Sequence, residues 1–373
     1  MNLISQKTEI DINSCKPGGT GPGKVINQKL RLSLNGIKVG KYRITCVPAL
    51  YASELFATEL KNGHKHIFAA SHTHQLFMFD RNKPRVGDFD QVNFDKVIKG
   101  LSHCRNLELN YDSVEIRATK SPFTIYRRND YPPSFIKTFI CRKLGMFPNR
   151  SYKVDNKIYF FVFKNQNTPV LCIIYHALHP TTRSTFHASE DYVYPLRKGV
   201  AKCIGDVPIL FFQGASGDIR CNSIKKIFPK LPSSKFNQRF EIPSSNSYQL
   251  DLDKFYFSAF EISYLLNCYK CTFNPFVDIS PALFNETSYN EYILNIHEKL
   301  KFIFMPFEVA HEYHQLNIRR GLFIVGCSND VYGYLPYPTQ IKFGGYEVVG
   351  SLKIMGLRST PVLQNSKIIS KYT

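Results

Sequence analysis

The chain has 373 residues, 43% hydrophobic and 21% charged, and a formal net charge of +19. This is the composition of a soluble globular protein, and it excludes a disordered, collagen-like or disulfide-scaffold chain. No apolar run reaches the roughly 18 residues of a membrane helix, and the opening MNLISQKTEID lacks the apolar core of a secretion signal.

From the N-terminus, SCKPGGTGPGK is a turn-rich loop without the glycine-lysine spacing of a P-loop, so it is not read as a nucleotide site. KVGKYRITCVPAL reads as a strand, YASELFATELKNG as a helix that stops at Gly63, and KHIFAASHTH as a strand. Residues 92–118 add a helix and a strand, and 119–151 are irregular, basic and proline-rich. KIYFFVFKNQNTPVLCIIYHALHP reads as a hairpin of buried strands, SEDYVYPLRKGVAKCIG as a helix, and VPILFFQGASGD as a strand entering a glycine-rich turn. Residues 222–250 are expected to form a surface excursion and 251–268 a helix. KLKFIFMPFEVAHEYHQLNIRRG is strand then helix, and LFIVGCSNDVYGYLPYP is strand then loop. Strands alternating with helices, without internal repeats, predict one α/β domain over 1–373 with a mixed sheet flanked by helices.

Polar clusters follow the apolar strands in five places. IFAA leads into SHTH, LCIIY into HALHP, ILFFQ into GASGD, KFIFM into PFE, and FIVG into CSNDVYGY. Ligand crevices of open α/β sheets lie beyond the carboxyl ends of strands, so these tails are expected to share one rim. His, Glu and Tyr suit a catalytic zinc, which they can hold while leaving a position for water. His72 and His74, alternating on a strand, would present both rings to one face. That also describes two ordinary histidines. Glu308 alone could be a helix N-terminal charge, and Tyr334 a core or rim tyrosine.

The order of these stretches resembles the catalytic domain of the neutral/alkaline (non-lysosomal) ceramidase family. KTEIDINS is similar to that family's opening A-D-I-T-P strand, SHTHQ to H-T-H-S-G-P, and KSPFTIYRRN to N-R-S-P. HALHPTT is similar to I-H-P-x-S, SEDYVYPLRKGV to the S-D-Y helix, and FFQGASGDIRCN to N-x-G-D-V-S-P-N. MPFEVA resembles P-x-E-F, and CSNDVYGYLPYPTQIKFGGYEV resembles N-D-Y-I-G-Y-I-P followed by G-G-Y-E. The resemblance implies a zinc amidase with the metal site at the strand ends. By position, Zn²⁺ would be held by His72, His179, Glu308 and Tyr334. His74 would act at the metal edge, Tyr334 would loosen to stabilise an oxyanion, and Tyr346 would help hold the reacting carbonyl.

Three departures accompany the resemblance. Arg220 stands where the family has its proposed nucleophilic serine, and an arginine stays protonated. The expectation is therefore attack by zinc-activated water, with Arg220 as an anchor for a carboxylate or phosphate. Lys120 replaces the arginine of N-R-S-P and is expected to bind substrate. SHTHQLFMFD lacks the S-G-P-G-G tail, which rebuilds the pocket wall beside the metal. The chain also ends soon after GGYE, so the family's immunoglobulin-like C-terminal domain is expected to be missing.

Ceramide itself is thereby put in doubt, and an anionic N-acyl lipid or glycoconjugate is expected instead. The alternatives are a non-catalytic ceramidase-like binding protein, or a basic protein that binds anionic surfaces. The positive charge favours an anionic partner and suits peripheral contact with an anionic membrane face. Basic residues are dispersed and no recognition motif is present, so no specific nucleic acid is expected. Reduced thiols and a cytoplasmic location are the simplest reading of ten unframed cysteines. His311 and His314 are read as a solvated helix face, and Cys268 and Cys271 as structural. Asp218 is expected to tie down its turn or to orient a zinc-bound histidine, and Asp191 to play at most a supporting part.

Overall fold

The computed structural model describes residues 3–53, 55–60, 63–121, 123–128, 146, 148–182, 187–221, 248–250, 255–270, 282–297, 300–341, 343–357 and 360–362. Among the described residues, branched and aromatic side chains favour strands, which hold more of the chain than helices do. The first sheet uses β1 (Leu3–Cys15), β2 (Ile26–Val39), β3 (Tyr42–Val47), β4 (Lys65–Ala70) and β5 (Arg105–Leu109), in the order β4-β3-β2-β1-β5. Next come β6 (Ser113–Lys120), β7 (Thr124–Tyr126), β8 (Lys157–Asn165), β9 (Thr168–His176), β10 (Ile209–Gln213), β11 (Ile219–Cys221) and β12 (Tyr248–Leu250). They form a second sheet ordered β10-β9-β8-β6-β12 and a ribbon of β7 with β11. The third sheet, β17-β15-β14-β13-β19, combines β13 (Phe255–Lys270), β14 (Ala282–His297), β15 (Leu300–Phe304), β17 (Leu322–Val325) and β19 (Thr360–Val362). A last ribbon pairs β16 (Glu308–Val309) with β18 (Tyr334–Leu335).

The three large sheets share one plan. Each has three antiparallel pairings and one parallel pair at an edge: β3 with β4, β9 with β10, and β15 with β17. A parallel pair needs a crossover connection, usually helical. Helices Leu55–Glu59, Val193–Ile204 and His311–Asn317 lie in those three connections. The strands of a parallel pair point the same way, so each sheet delivers its polar tails to one end. Backbone hydrogen bonds stitch those ends together, Ala70 N to Cys327 O at 3.1 Å and Gly326 N to Gln213 O at 2.9 Å.

One buried cluster joins all three sheets: Ile37, Ile44 and Ile67 from the first, Phe161 and Ile173 from the second, Phe302, Phe304 and Phe323 from the third. Phe161 meets Phe302 and Phe323 edge-on, with centroids 5.0 and 4.9 Å away. Truncating such a fully buried ring costs about 3–5 kcal/mol, through lost transfer energy and the cavity left behind. This core holds the strand ends, and the site they carry, in fixed relation.

The α/β class is observed, and the described residues form three mixed sheets and two ribbons where the sequence suggested one sheet. Of the helix expected over 251–268, residues 251–254 lie outside the described residues and the rest is instead part of strand β13. Phe260, Ile262 and Tyr264 alternate with Glu261 and Ser263, and the register with β14 uses that period of two. Of the expected excursion 222–250, residues 222–247 lie outside the described residues, while Tyr248–Leu250 pairs with Val114–Ile116. The stretch 119–151 contains β7, and 129–145 lie outside the described residues. Cys268 sits in β13 opposite Pro361, whereas Cys271 is not described. Among the described residues, no helix is long and apolar enough to cross a membrane.

Candidate metal centre

β4 ends at Ala70, so the SHTH stretch is a loop and not the end of a strand. His72 adopts a left-handed backbone, φ 61°, which is uncommon outside glycine. Loop geometry, not strand alternation, brings His72 and His74 together, with ring centroids 5.3 Å apart. The loop is tied down on several sides. Ser71 N donates to Val47 O at 2.9 Å, Thr73 Oγ1 to Ser189 O at 3.1 Å, and Gln75 Nε2 to Asp191 Oδ2 at 3.3 Å. The same Asp191 oxygen accepts from Thr182 N at 2.9 Å. Asp191 thus couples the loop carrying His72 and His74 to the one carrying His179.

His179 follows β9, and its Nδ1 donates to Ser216 O at 3.4 Å. His72 Nδ1 donates to Leu50 O at 3.2 Å, with the Cys327 thiol 3.4 Å away. Each carbonyl fixes the tautomer and leaves Nε2 facing inward. His74 Nε2 lies 3.0 Å from His179 Nε2. Ligand atoms of His72, His74 and His179 all lie within 4.8 Å of one another, a spacing at which one metal ion could be held. Gly19, at φ 73°, leaves room for His74, since a Cβ there would stand 2.0 Å from His74 Nδ1.

Glu308 and Tyr334 arrive on the short parallel ribbon of β16 and β18, where they are register partners. Glu308 Oε1 accepts from Tyr51 OH at 2.5 Å. Glu308 Oε2 faces His72 Nε2 at 3.3 Å, yet both atoms are buried and neither completes a hydrogen bond. Burial would raise the Glu308 pKa, but His72, Tyr334 and Tyr51 overcome it and hold the carboxyl down at about 2. Burial works against charge on His72 too, and the Cys327 and Glu308 side chains override it to raise its pKa well above the ordinary value. Burial and the neighbouring His72 push His74 down to about 3, and the same two causes with Arg127 push His179 well below the usual range. His72 and Glu308 therefore each favour the charged form of the other.

Tyr334 and Tyr346 stand with ring centroids 5.6 Å apart, and the Arg127 guanidinium lies 5.6 Å from each. Burial, then the Glu308 charge, raises both phenol pKa values, Tyr346 to about 12. Arg127 is held by Glu347 Oε1 at 2.8 Å and by Gly217 O at 2.5 Å. Arg128 takes the other Glu347 oxygen at 2.5 Å and Gly344 O at 2.9 Å. Gly345, at φ 89°, permits that approach, because a Cβ would lie 2.9 Å from Arg128 Nη1.

Two lobes open from the histidines and share His74, Tyr334 and Tyr346. One, of about 250 Å³, is lined by Leu50, Tyr51, Val86, Ile354 and Met355, with Arg85 and Glu308. The other, of about 260 Å³, is lined by Arg127, Arg220, Thr181, Cys221, Met146 and His179. Of the residues singled out in the sequence, His72, His74, His179, Glu308, Tyr334, Tyr346 and Arg220 come together here. Lys120 does not: it is exposed at the end of β6, opposite Lys157, and the cation over the two tyrosines is Arg127. Asp218 touches no histidine of the site. It accepts from His311 N at 2.7 Å and from Gln340 Nε2 at 2.8 Å, which ties its turn to a helix start.

His311 and His314 are buried, not solvated, because their helix packs on the second and third sheets with partners for both rings. His311 Nδ1 donates to Ala215 O at 3.2 Å, and His311 Nε2 accepts from Asp155 N at 3.0 Å. His314 lies 3.0 Å from both Tyr175 OH and Asp155 Oδ2. Sequence reasoning missed Tyr51, Arg127, Arg128, Glu347 and Cys327. The adjacent arginines of TIYRR, behind an apolar stretch, were the available signal for two of them.

No family model matches this chain, and no curated protein matches it in sequence. Its structure is similar to that of neutral ceramidase from Pseudomonas aeruginosa, with a TM-score of 0.61 and 11% identity over 93% of this chain and 70% of that one. A ceramidase complexed with C2 matches with a TM-score of 0.60 and 11% identity, over 93% of this chain and 71% of that one. The chain thus shares its fold with neutral ceramidase.

Proposed function

We propose that this protein is a zinc-dependent hydrolase that cleaves an amide bond in an acylated lipid or glycoconjugate. The observation that carries the reading is the His72–Glu308 pair, two buried polar atoms 3.3 Å apart with no completed hydrogen bond. Such orphans are costly unless a further partner satisfies them. Two more imidazoles stand beside them, and this mixture of nitrogen and oxygen donors suits zinc. His72, His179, Glu308 and Tyr334 would hold the ion. When bound, zinc acidifies water toward neutral pH and polarises a carbonyl. The ceramidase neighbours make an amide of a lipid the first substrate class to test.

The chain's own residues supply the rest. His74 is half-buried, borders both lobes, and is neutral at working pH. It is placed to take a proton from the attacking water and return it to the leaving amine. The Tyr346 phenol keeps its proton and donates a hydrogen bond to a developing oxyanion, with the Arg127 charge behind it, and Tyr334 would loosen from the ion toward the same oxyanion. A covalent route has poor candidates. Arg220 carries no attacking atom, and burial pushes the Cys221 thiol up to about 12, which leaves little thiolate.

The test is elemental analysis of protein purified without chelator, joined to a panel of N-acyl substrates. One zinc per chain, and hydrolysis that chelation abolishes and zinc restores, are expected. Metal-free protein, or no cleavage of any acyl amide by the loaded protein, would sink the reading. A trapped acyl-enzyme on Ser216 or Cys221 would overturn the water route alone.

A further inference from the structure

Gln75 directly follows His74 in the chain. Its side chain is 1% exposed and lines neither lobe beside the histidines. A buried amide is costly unless both of its ends find partners. Here both ends meet the same segment, 189–191. Gln75 Oε1 accepts from Ser189 Oγ, and Gln75 Nε2 donates to Asp191 Oδ2 at 3.3 Å. Asp191 N donates to Ser189 Oγ at 3.1 Å, which closes the ring. Asp191 is held at φ 54°, a left-handed backbone that Asp adopts more readily than most residues. From there its carboxyl group reaches the loop after β9. Oδ2 accepts from Thr182 N at 2.9 Å, while Oδ1 accepts from Thr182 Oγ1, and from Tyr192 N at 2.7 Å.

One oxygen, Asp191 Oδ2, thus receives a donor from the residue after His74 and a donor from Thr182, three residues past His179. The rings of those two histidines face each other with their Nε2 atoms 3.0 Å apart. Filling the core would not require a glutamine here. An apolar side chain does that without burying an amide, and a buried hydrogen bond adds little net stability. What the amide adds is direction, because its two ends fix the loop against segment 189–191 at a set distance.

We propose that Gln75 is a positioning residue that sets the separation of His74 and His179 by clamping Asp191. Through His179 the clamp places a zinc ligand, and through His74 the group that moves the proton beside it. The inference rests on the hydrolase reading for what the two rings serve, but not for the clamp itself.

The test compares the full chain with Gln75→Met, Gln75→Glu, Asp191→Asn and the Gln75→Met/Asp191→Asn double variant. Gln75→Met keeps the length of the side chain and removes both hydrogen bonds. Gln75→Glu keeps an acceptor for Ser189 Oγ, but sets a carboxylate against Asp191. Competition against a chelator of known affinity should show zinc affinity falling about 10- to 100-fold in Gln75→Met, and at least as far in Gln75→Glu. A melting temperature close to the parent's separates this loss from general destabilisation. The double variant should lose less than the sum of the two single losses, since both act on one contact. Crystal structures of metal-free parent and Gln75→Met supply a readout that needs no zinc. The gap between His74 Nε2 and His179 Nε2 should change by about 0.5 Å or more, beyond the tolerance of a built site. A parent that binds no zinc while Gln75→Met shifts that gap removes the hydrolase reading and keeps the clamp. An unshifted gap, unchanged zinc affinity in both Gln75 variants, or fully additive losses in the double variant overturns the clamp and leaves the hydrolase reading standing.

Discussion

His72 Nε2 and Glu308 Oε2 face each other at 3.3 Å, one from the loop after the first sheet's edge strand, the other from the short strand β16 that follows β15 of the third sheet. Both are buried, and the carboxyl is held ionised at the centre of the fold. A buried carboxylate needs a positive partner, and the surrounding imidazoles and phenols are arranged to let a cation be that partner.

Removing a ligand should separate metal binding from catalysis. His72→Ala is expected to lose the bound zinc. His74→Ala should keep most of the zinc and lose about 10²- to 10⁴-fold in rate, the usual worth of a general acid–base group. Zinc content and hydrolysis, measured on the same preparations, check this. Equal metal loss in His74→Ala would move His74 into the ligand set.

Tyr51 donates to Glu308 Oε1 at 2.5 Å and so orients the carboxylate from behind. Tyr51→Phe keeps the ring and removes the donor. Zinc affinity should fall about 10- to 100-fold with the fold intact, as is usual when such a supporting bond is lost. Competition against a chelator of known affinity reads the change, and unchanged affinity would show that the Tyr51 hydroxyl does not orient Glu308 for metal.

Glu347 neutralises two buried guanidinium groups at once. Glu347→Gln removes the carboxylate that the two guanidinium groups share and should destabilise the protein by about 3–5 kcal/mol. Urea unfolding measures it. A loss below about 1 kcal/mol would mean that the arginines find other partners.

Burial pushes Asp218 up to about 6 from an ordinary value of 3.8. A carboxyl whose folded pKa is raised stabilises the fold fully below its unfolded pKa, and the contribution disappears as pH rises through the folded value. Between about pH 4 and pH 6 the parent should therefore lose about 2–3 kcal/mol relative to Asp218→Asn, which does not titrate. Unfolding free energies of the two proteins across that range give the difference. A constant difference would rule out the shift.

Part of this site could be read from local sequence. An apolar strand running into polar residues is a local pattern, because a strand must leave the core where its next residues need water or a ligand. SHTH, HALHP, PFE and YGY carry that pattern, but each is weak alone, and it was their order along the chain, through the resemblance it carries, that singled out His72, His179, Glu308 and Tyr334. Tyr51 and Glu347 were not singled out, since their meaning lies in partners far along the chain, Glu308 and Arg127. Lys120 was named from its place in the motif and Arg127 was missed, because motif spacing cannot tell which cation of an irregular segment turns inward. His311 and His314 read as solvated for the same reason, as their burial depends on Asp155 and Tyr175 from the second sheet and its approach. Residues 251–268 were read as helix because an apolar-rich stretch fits either period until a partner strand, here β14 beside β13, selects one. Composition and local pattern alone determined the α/β class, the strand ends and the donor types. Only the tertiary structure decided how many sheets form, which ends meet, and which cation faces the tyrosines. Those outcomes come from hydrogen bonds and packing between segments distant in sequence, which no local window contains.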